Sequence, residues 1–303
     1  MVKKTCNHKK SIEINRFDNQ PILQCKKCFL IYIKNKKKNK NVLYNDYYKN
    51  EIPTRFHFGL ELIIKLFRFF RAFKLFTVHP KAKSILDVGS GRGFTLYYLK
   101  KFYKYKKAIG TQLCRSAVEF SRKKLGLKIH NKDLLKINFN KEKFDLITMW
   151  HVLEHVEEPE KYIKKIHSLL NKNGKYIIEV PNFDSWTRKF TGKYWLGMDL
   201  KYHLTFFTEK SITKLLKKHG FKISDIHTFS LEYSTFLSAQ SIVSKITKTD
   251  QLFFNWLQTK NQSIIKIIPH LILFILLIPF CTLINFLSYY EKWGEVLLIT
   301  AEK

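Results

Sequence analysis

The sequence predicts an α/β fold, a mostly parallel sheet covered by helices on both faces, preceded by a small cysteine-bearing module. Three observations carry this. Strand-like and helix-like segments alternate from residue 81 to 225, the pattern of a sheet wrapped on both sides. The first of those strands, KSILDVGSG, runs straight into a glycine-rich turn that opens a helix, where such folds bring backbone amides to a ligand. Cys6, His8, Cys25 and Cys28 come early in the chain, spaced as candidate zinc ligands.

Residues 1–40 form the expected zinc-ribbon-like module. In LQCKKCFLIYI, the Cys25-x-x-Cys28 knuckle leads into a strand, and sixteen residues separate His8 from Cys25. Four ligands close a zinc site, so its role is structural. Residues 41–80 read as a helical linker or lid. Its helix, Arg55 to Phe76, is apolar around most of its circumference, with Glu61, Lys65, Arg68 and Arg71 on one narrow stripe. That pattern suits a helix packed on the domain with one wet edge, or a lid at a membrane surface.

Residues 81–303 supply the main domain. YKKAIGTQL, LKIHNKD, FDLITMW and GKYIIEVPN follow the first strand as further strands. The helices between them are FTLYYLKKFY, SAVEFSRKKLG and EKYIKKIHSLLNKNG, the last ending at Gly174. FKISDIHTFS and GEVLLITAEK add two strands, the final one antiparallel. An apolar helical insertion spans 255–290, and within it Ile267 to Leu287 contains no Lys, Arg, Asp or Glu. Length alone nominates a membrane span. The final strand must nevertheless return to the sheet, and two crossings need roughly 40 residues. The expectation is therefore a pair of helices broken near Pro279, either dipping into a bilayer surface or lying as a lid over a pocket at the strand ends.

The 303 residues are 45% hydrophobic, enough for a sizeable core, and carry a formal charge of +31. Such a surplus attracts anions. Only eight of the 55 basic residues are Arg, which argues against base-edge reading, so nucleic acid is not the expected partner. The five cysteines and the absence of an apolar run behind the charged N-terminus lead us to expect reduced thiols in the cytoplasm.

His151-Val-Leu-Glu154-His155 has the letters of a zinc-protease helix, H-x-x-E-H. A buried strand immediately precedes it and Pro159 follows, so it sits on a loop at a strand's carboxyl end and the protease reading fails. In context, the glycine turn DVGSGRG and the run FDLITMWHVLEHVEEP resemble class I S-adenosylmethionine-dependent methyltransferases, in particular ubiquinone-biosynthesis-type O-methyltransferases. The segment TGKYWLGMDLKYHLTFFTEKSITKLLKKHGF is similar to one found in bacterial members linked to cell-surface sugars.

That resemblance implies a Rossmann-like, seven-stranded methyltransferase sheet with an antiparallel last strand. It implies S-adenosyl-L-methionine held by Asp87, Gly89, Gly91, Gly93, Gln112, Asp133, Leu134 and His151, with Gln112 standing where the family has an acid for the ribose. Glu154, His155 and His203 are the implied catalytic residues, and Tyr194, Trp195 and Asp199 the implied acceptor lining. A similar E-x-x-E-H in some relatives holds a divalent metal, and His151 stands at its first Glu. The expected reaction is O-methylation of a sugar, a lipid-linked saccharide or another small metabolite, with peripheral contact to the inner face of the membrane. RNA methylation, or a non-catalytic membrane-associated scaffold, stays open at this point.

Overall fold

The computed structural model describes residue 6, residues 8–17, 19–34, 58–259 and 263–303. The expected linker from 41 to 57, including the first residues of its helix, lies outside them. Strands β1 (Ser11–Phe17), β2 (Gln20–Cys25) and β3 (Ile31–Ile33) form an antiparallel N-terminal sheet. Helix α1 (Phe58–Val78) follows. The main domain then runs β4 (Ser84–Val88), α2 (Phe94–Phe102), β5 (Lys107–Thr111), α3 (Arg115–Leu125), β6 (Lys128–His130), β7 (Phe144–Trp150), α4 (Pro159–Leu169) and β8 (Leu170–Pro181). After it come α5 (Trp186–Thr191), β9 (Thr205–Phe206), α6 (Glu209–Lys218), β10 (Lys222–His227), α7 (Ser234–Thr247), α8 (Leu252–Thr259), α9 (Ile264–Leu287) and β11 (Val296–Glu302).

Seven strands make the main sheet in the order β10-β11-β8-β7-β4-β5-β6. β11 is antiparallel to both its neighbours, whereas the pairs β8–β7, β7–β4, β4–β5 and β5–β6 are parallel. The seven-stranded sheet with an antiparallel strand inserted near one edge is the arrangement the sequence led us to expect. The near-continuous apolar runs of β4 and β7 follow from burial on both faces: Ile85, Leu86, Leu146, Ile147 and Met149 are fully buried. Helix boundaries follow local chemistry. Pro159 opens α4, Gly126 closes α3 in the left-handed region, and Thr208 and Ser211 form a capping box on α6.

Three expectations need correction. The helix expected to run to Gly174 stops at Leu169, and residues 170–174 already belong to β8. Asn173 is left-handed and the Asn171 side chain donates to Asp145 Oδ1 at 2.7 Å; asparagines favour such local bonds over a helix interior. The apolar block is one continuous helix, α9, with Pro269 and Pro279 inside it. Both prolines sit on its exposed side, and the packing of its other side on α7 holds the helix through the lost hydrogen bonds. Third, the N-terminal sheet is not confined to residues 1–40. β9 joins it as a fourth strand, pairing Ile31 with Phe206 and Tyr32 with Thr205.

Candidate active site

At the carboxyl end of β4, Asp87 is buried and accepts a 2.7 Å hydrogen bond from Thr148 Oγ1 on β7. Burial raises its carboxyl above the usual range, with the Thr148 hydroxyl opposing this. Its work is to tie the glycine turn to the neighbouring strand. Gly89, Gly91 and Gly93 all have positive φ (77°, 55° and 77°), which only glycine adopts without strain. A Cβ on Gly89 would come within 2.4 Å of Val152 Cγ2, so the glycine turn and the 151–155 loop are in direct contact.

Gly93 caps α2 without a side-chain acceptor. The first amides of α2 are thus left for a ligand, as helix geometry dictates. An uncapped helix start behind three left-handed glycines fits the amino-acid carboxylate of S-adenosylmethionine. Gln112 Oε1 accepts from the amides of Leu113 and Cys114 at 2.7 and 3.1 Å, which turns its amino group outward as a donor. Asp133 is more heavily engaged: one oxygen caps the turn at Leu135 N and the other accepts from Tyr162 OH at 2.6 Å. Beside it, Leu134 is buried in the core.

β7 delivers the second part. His151 has φ 52°, and its ring lies between two buried carboxylates, with Nε2 2.9 Å from Glu179 Oε1 and Nδ1 3.4 Å from Glu154 Oε1. Burial alone would favour the neutral ring, but Glu154 and Glu179 outweigh it and hold the imidazolium well above its ordinary pKa. Burial would likewise raise Glu154, yet His151 and the neighbouring histidines bring it to about 2. His151 therefore serves as a buried counter-ion, with Tyr233 packed on its ring at 4.1 Å.

Residues Leu153–His155 form a 3-10 turn. His155 Nδ1 lies 3.2 Å from the Tyr202 carbonyl, and His203 Nδ1 lies 3.0 Å from the Gly197 carbonyl. A carbonyl only accepts, so in each ring Nδ1 carries a proton. The rings meet edge to face at 4.7 Å. Burial, reinforced by His203, lowers His155 to about 4, so it is neutral at pH 7. Glu154, His155 and His203 each offer a ligand atom, all within 4.8 Å of one another. Neither Glu154 oxygen makes a hydrogen bond.

The expected acceptor lining divides. Trp195 is 1% exposed, and its Nε1 donates to buried Glu295 at 3.3 Å while its ring packs on Phe183. It is core, which corrects the expectation that it faces an acceptor. Asp199 turns the chain back, its carbonyl accepting from Tyr202 and His203 amides. Tyr194 is half-buried, with Lys193 over its ring. Glu179 and Glu295 were not anticipated as site residues; their only signal is a lone acid in an otherwise apolar strand or its approach.

Helix α1 lies over this assembly. Arg92 of the glycine turn pairs with Glu61, and Arg71 stacks on Trp150 at 4.0 Å. Arg68 and Arg71 both reach Glu232, at 2.5 and 2.6 Å. In the N-terminal module, Cys6 Sγ lies 3.7 Å from Cys25 Sγ and Cys28 Sγ 3.4 Å from His8 Nδ1, with all four donors inside 4.8 Å. That convergence fits a tetrahedral zinc ion. A cavity of about 470 Å³ opens between β1–β2 and residues 183–188, with Arg188 and Lys210 in its wall. The Phe183–Phe206 pair separates it from His203.

A family model described as a methyltransferase domain matches residues 62–226. An uncharacterised protein of Methanocaldococcus jannaschii is 25% identical over 174 residues, 57% of this chain and 75% of that one. A ubiquinone biosynthesis O-methyltransferase of Coxiella burnetii is 24% identical over 157 residues, covering 48% of this chain and 66% of the relative. Among solved structures, a candidate sarcosine dimethylglycine methyltransferase from Galdieria sulphuraria superposes with TM-score 0.52 at 11% identity. It covers 79% of this chain and 86% of that chain, a likeness of fold.

Proposed function

The chain belongs to the S-adenosylmethionine-dependent methyltransferases through the domain at residues 62–226, and from that membership we propose that it methylates a hydroxyl oxygen on a small molecule or saccharide. When bound, the cofactor supplies an electrophilic methyl group on a sulfonium. The chain's own residues do the rest. The glycine turn and the first amides of α2 receive the carboxylate end, Gln112 donates its amino group to the ribose, and Asp133 and Leu134 border the adenine.

The observation that carries the oxygen acceptor is the His155 ring, neutral and half-buried, its Nδ1 proton held by the Tyr202 carbonyl. Its Nε2 would accept the proton that the acceptor hydroxyl gives up. The Glu154 carboxylate then stabilises the imidazolium. Holding the reactants in line contributes most, up to ~7–11 kcal/mol in favourable cases. Cys6, His8, Cys25 and Cys28 would hold a zinc ion in a structural part.

The deciding experiment incubates the protein with methyl-labelled cofactor and a panel of saccharides and phenols. We expect label in an ether linkage, and His155→Ala to lower kcat by about 10²–10⁴-fold while S-adenosylhomocysteine still raises Tm. Label found on nitrogen alone sinks the oxygen assignment. Failure to bind S-adenosylhomocysteine would point to a scaffold instead.

That neither Glu154 oxygen makes a close hydrogen bond, Oε1 having the 3.4 Å ion pair to His151, favours a second reading. Glu154, His155 and His203 are a hard-and-borderline donor set suited to a divalent cation, and the two backbone carbonyls fix both ring orientations as outer partners of a metal site do. Such an ion would polarise the acceptor oxygen. Activity that survives a chelator supports the base; activity abolished by it and restored by Mg²⁺ or Zn²⁺ supports the metal.

A further inference from the structure

We propose that α1 and α9 form one docking face for an anionic phospholipid surface, with both helices lying in the headgroup plane. The face rests on exposure and charge, so it stands whether or not the acceptor chemistry above is right.

α9 has two unlike sides. Ile267, Cys281 and Asn285 are buried, with α7 as the helix's main packing partner. Asn285 donates to Ser238 Oγ at 2.6 Å and Thr235 meets Thr282 at 3.2 Å. Opposite them, Ile265, Ile272, Leu276, Leu283 and Phe286 are all more than half exposed. Only 17% of the helix's most apolar stretch is buried. α1 repeats the arrangement: Glu61, Arg68 and Arg71 point inward, and Leu62, Leu66, Phe70 and Phe73 point out, each at least 45% exposed.

The segment 227–233 joins the two helices. It holds α1 through Glu232 and through Lys74, which contacts His227, and it holds the end of α9 through the His227–Tyr289 stack at 4.5 Å. Leu231 and Tyr290, 60% and 80% exposed, lie at this junction. Soluble monomers seldom leave apolar surface on this scale without a partner.

The partner is read from charge and from how α9 is held. A second copy of a chain with formal charge +31 would bring like charge to the same face, whereas an anionic bilayer attracts it. Exposed Lys101 beside Phe102, and Lys266 on α9, supply cations at the rim. A crossing helix surrounded by lipid is apolar all round. α9 instead commits one side, Asn285 included, to the water-soluble domain. Few residues separate it from α8 before and β11 after, so both ends return to that domain. This is the geometry of an interfacial helix.

The test uses the full chain and vesicles of phosphatidylcholine alone or mixed with phosphatidylglycerol. We expect partitioning onto the mixed vesicles at least about tenfold stronger, weakening with salt. Leu276→Asp with Leu283→Asp, and separately Leu66→Asp with Phe70→Asp, should each reduce partitioning about tenfold or more. Each pair should keep the Tm increase given by S-adenosylhomocysteine. Hydrogen exchange on the unmodified protein gives a reading free of folding defects: vesicles should slow exchange in α1 and α9 and not in α4 or α6. Equal or absent binding to both vesicle types overturns the proposal. So does a dimer in light scattering that the same substitutions dissolve, or extraction behaviour of a spanning protein.

Discussion

Gly89 shows how narrow the tolerances are where the glycine turn meets the His151–His155 loop. Its φ is 77° and any Cβ there collides with Val152. Gly89→Ala should therefore shift the turn, lowering S-adenosylhomocysteine affinity at least about tenfold and stability by roughly 1–3 kcal/mol. Calorimetry and urea midpoints check this, and an unchanged affinity would contradict the assigned role of the turn. That the glycines turn left-handed and that Glu154, His155 and His203 gather could be read because each sits in a dense local motif. His151 was not legible as a counter-ion, since its second carboxylate, Glu179, lies on a different strand. Trp195 was misplaced for the same reason: the Glu295 that satisfies its indole N–H is a hundred residues further along. Spacing within a motif says which residues gather, and it does not say which way a ring faces.

Among elements, β9 is the one that reorganises the molecule. It pairs with β3, and Ile33 N also donates to the Leu204 carbonyl, so the N-terminal sheet grips the segment immediately after His203. If Cys6, His8, Cys25 and Cys28 hold zinc as proposed, its loss would thus reach the reacting cluster. Cys28→Ser is expected to release the metal, lower Tm by about 5 °C or more, and reduce kcat while leaving S-adenosylhomocysteine affinity within about twofold. Metal content, thermal melts and kinetics follow the three effects; full activity in the metal-free protein would show the module to be independent. A two-residue strand carries too little pattern to be read in advance. The seven-stranded sheet was readable because β4, β7, β8 and β11 are runs of mostly buried apolar residues. α9 was misread as broken because Pro279 argues locally for a break, while the packing on α7 that overrides it is tertiary.

For the molecule as a whole, the segment from His227 to Tyr233 is the common anchor of α1, β10 and α9, and it leaves a signature in the pH dependence of stability. Burial, with Lys74 adding to it and Asp225 and Glu179 opposing, lowers His227 to about 4. The unfolded chain, with its histidine near 6.5, takes up this proton first as pH falls. The contribution is complete above about pH 6.5 and is lost as pH drops towards 4. His227→Gln should flatten the fall in Tm across that window relative to the unmodified protein, and parallel curves would refute the assignment. α1 has a further consequence, since the helix with an apolar outer face also holds Arg92 of the glycine turn and Trp150 at the end of β7. With the cofactor seated on the glycine turn as proposed, spent nucleoside would leave as those two grips loosen. The pace of successive turnovers would then be governed by how readily one helix swings aside, and whatever surface that helix rests on would act as a brake or a release.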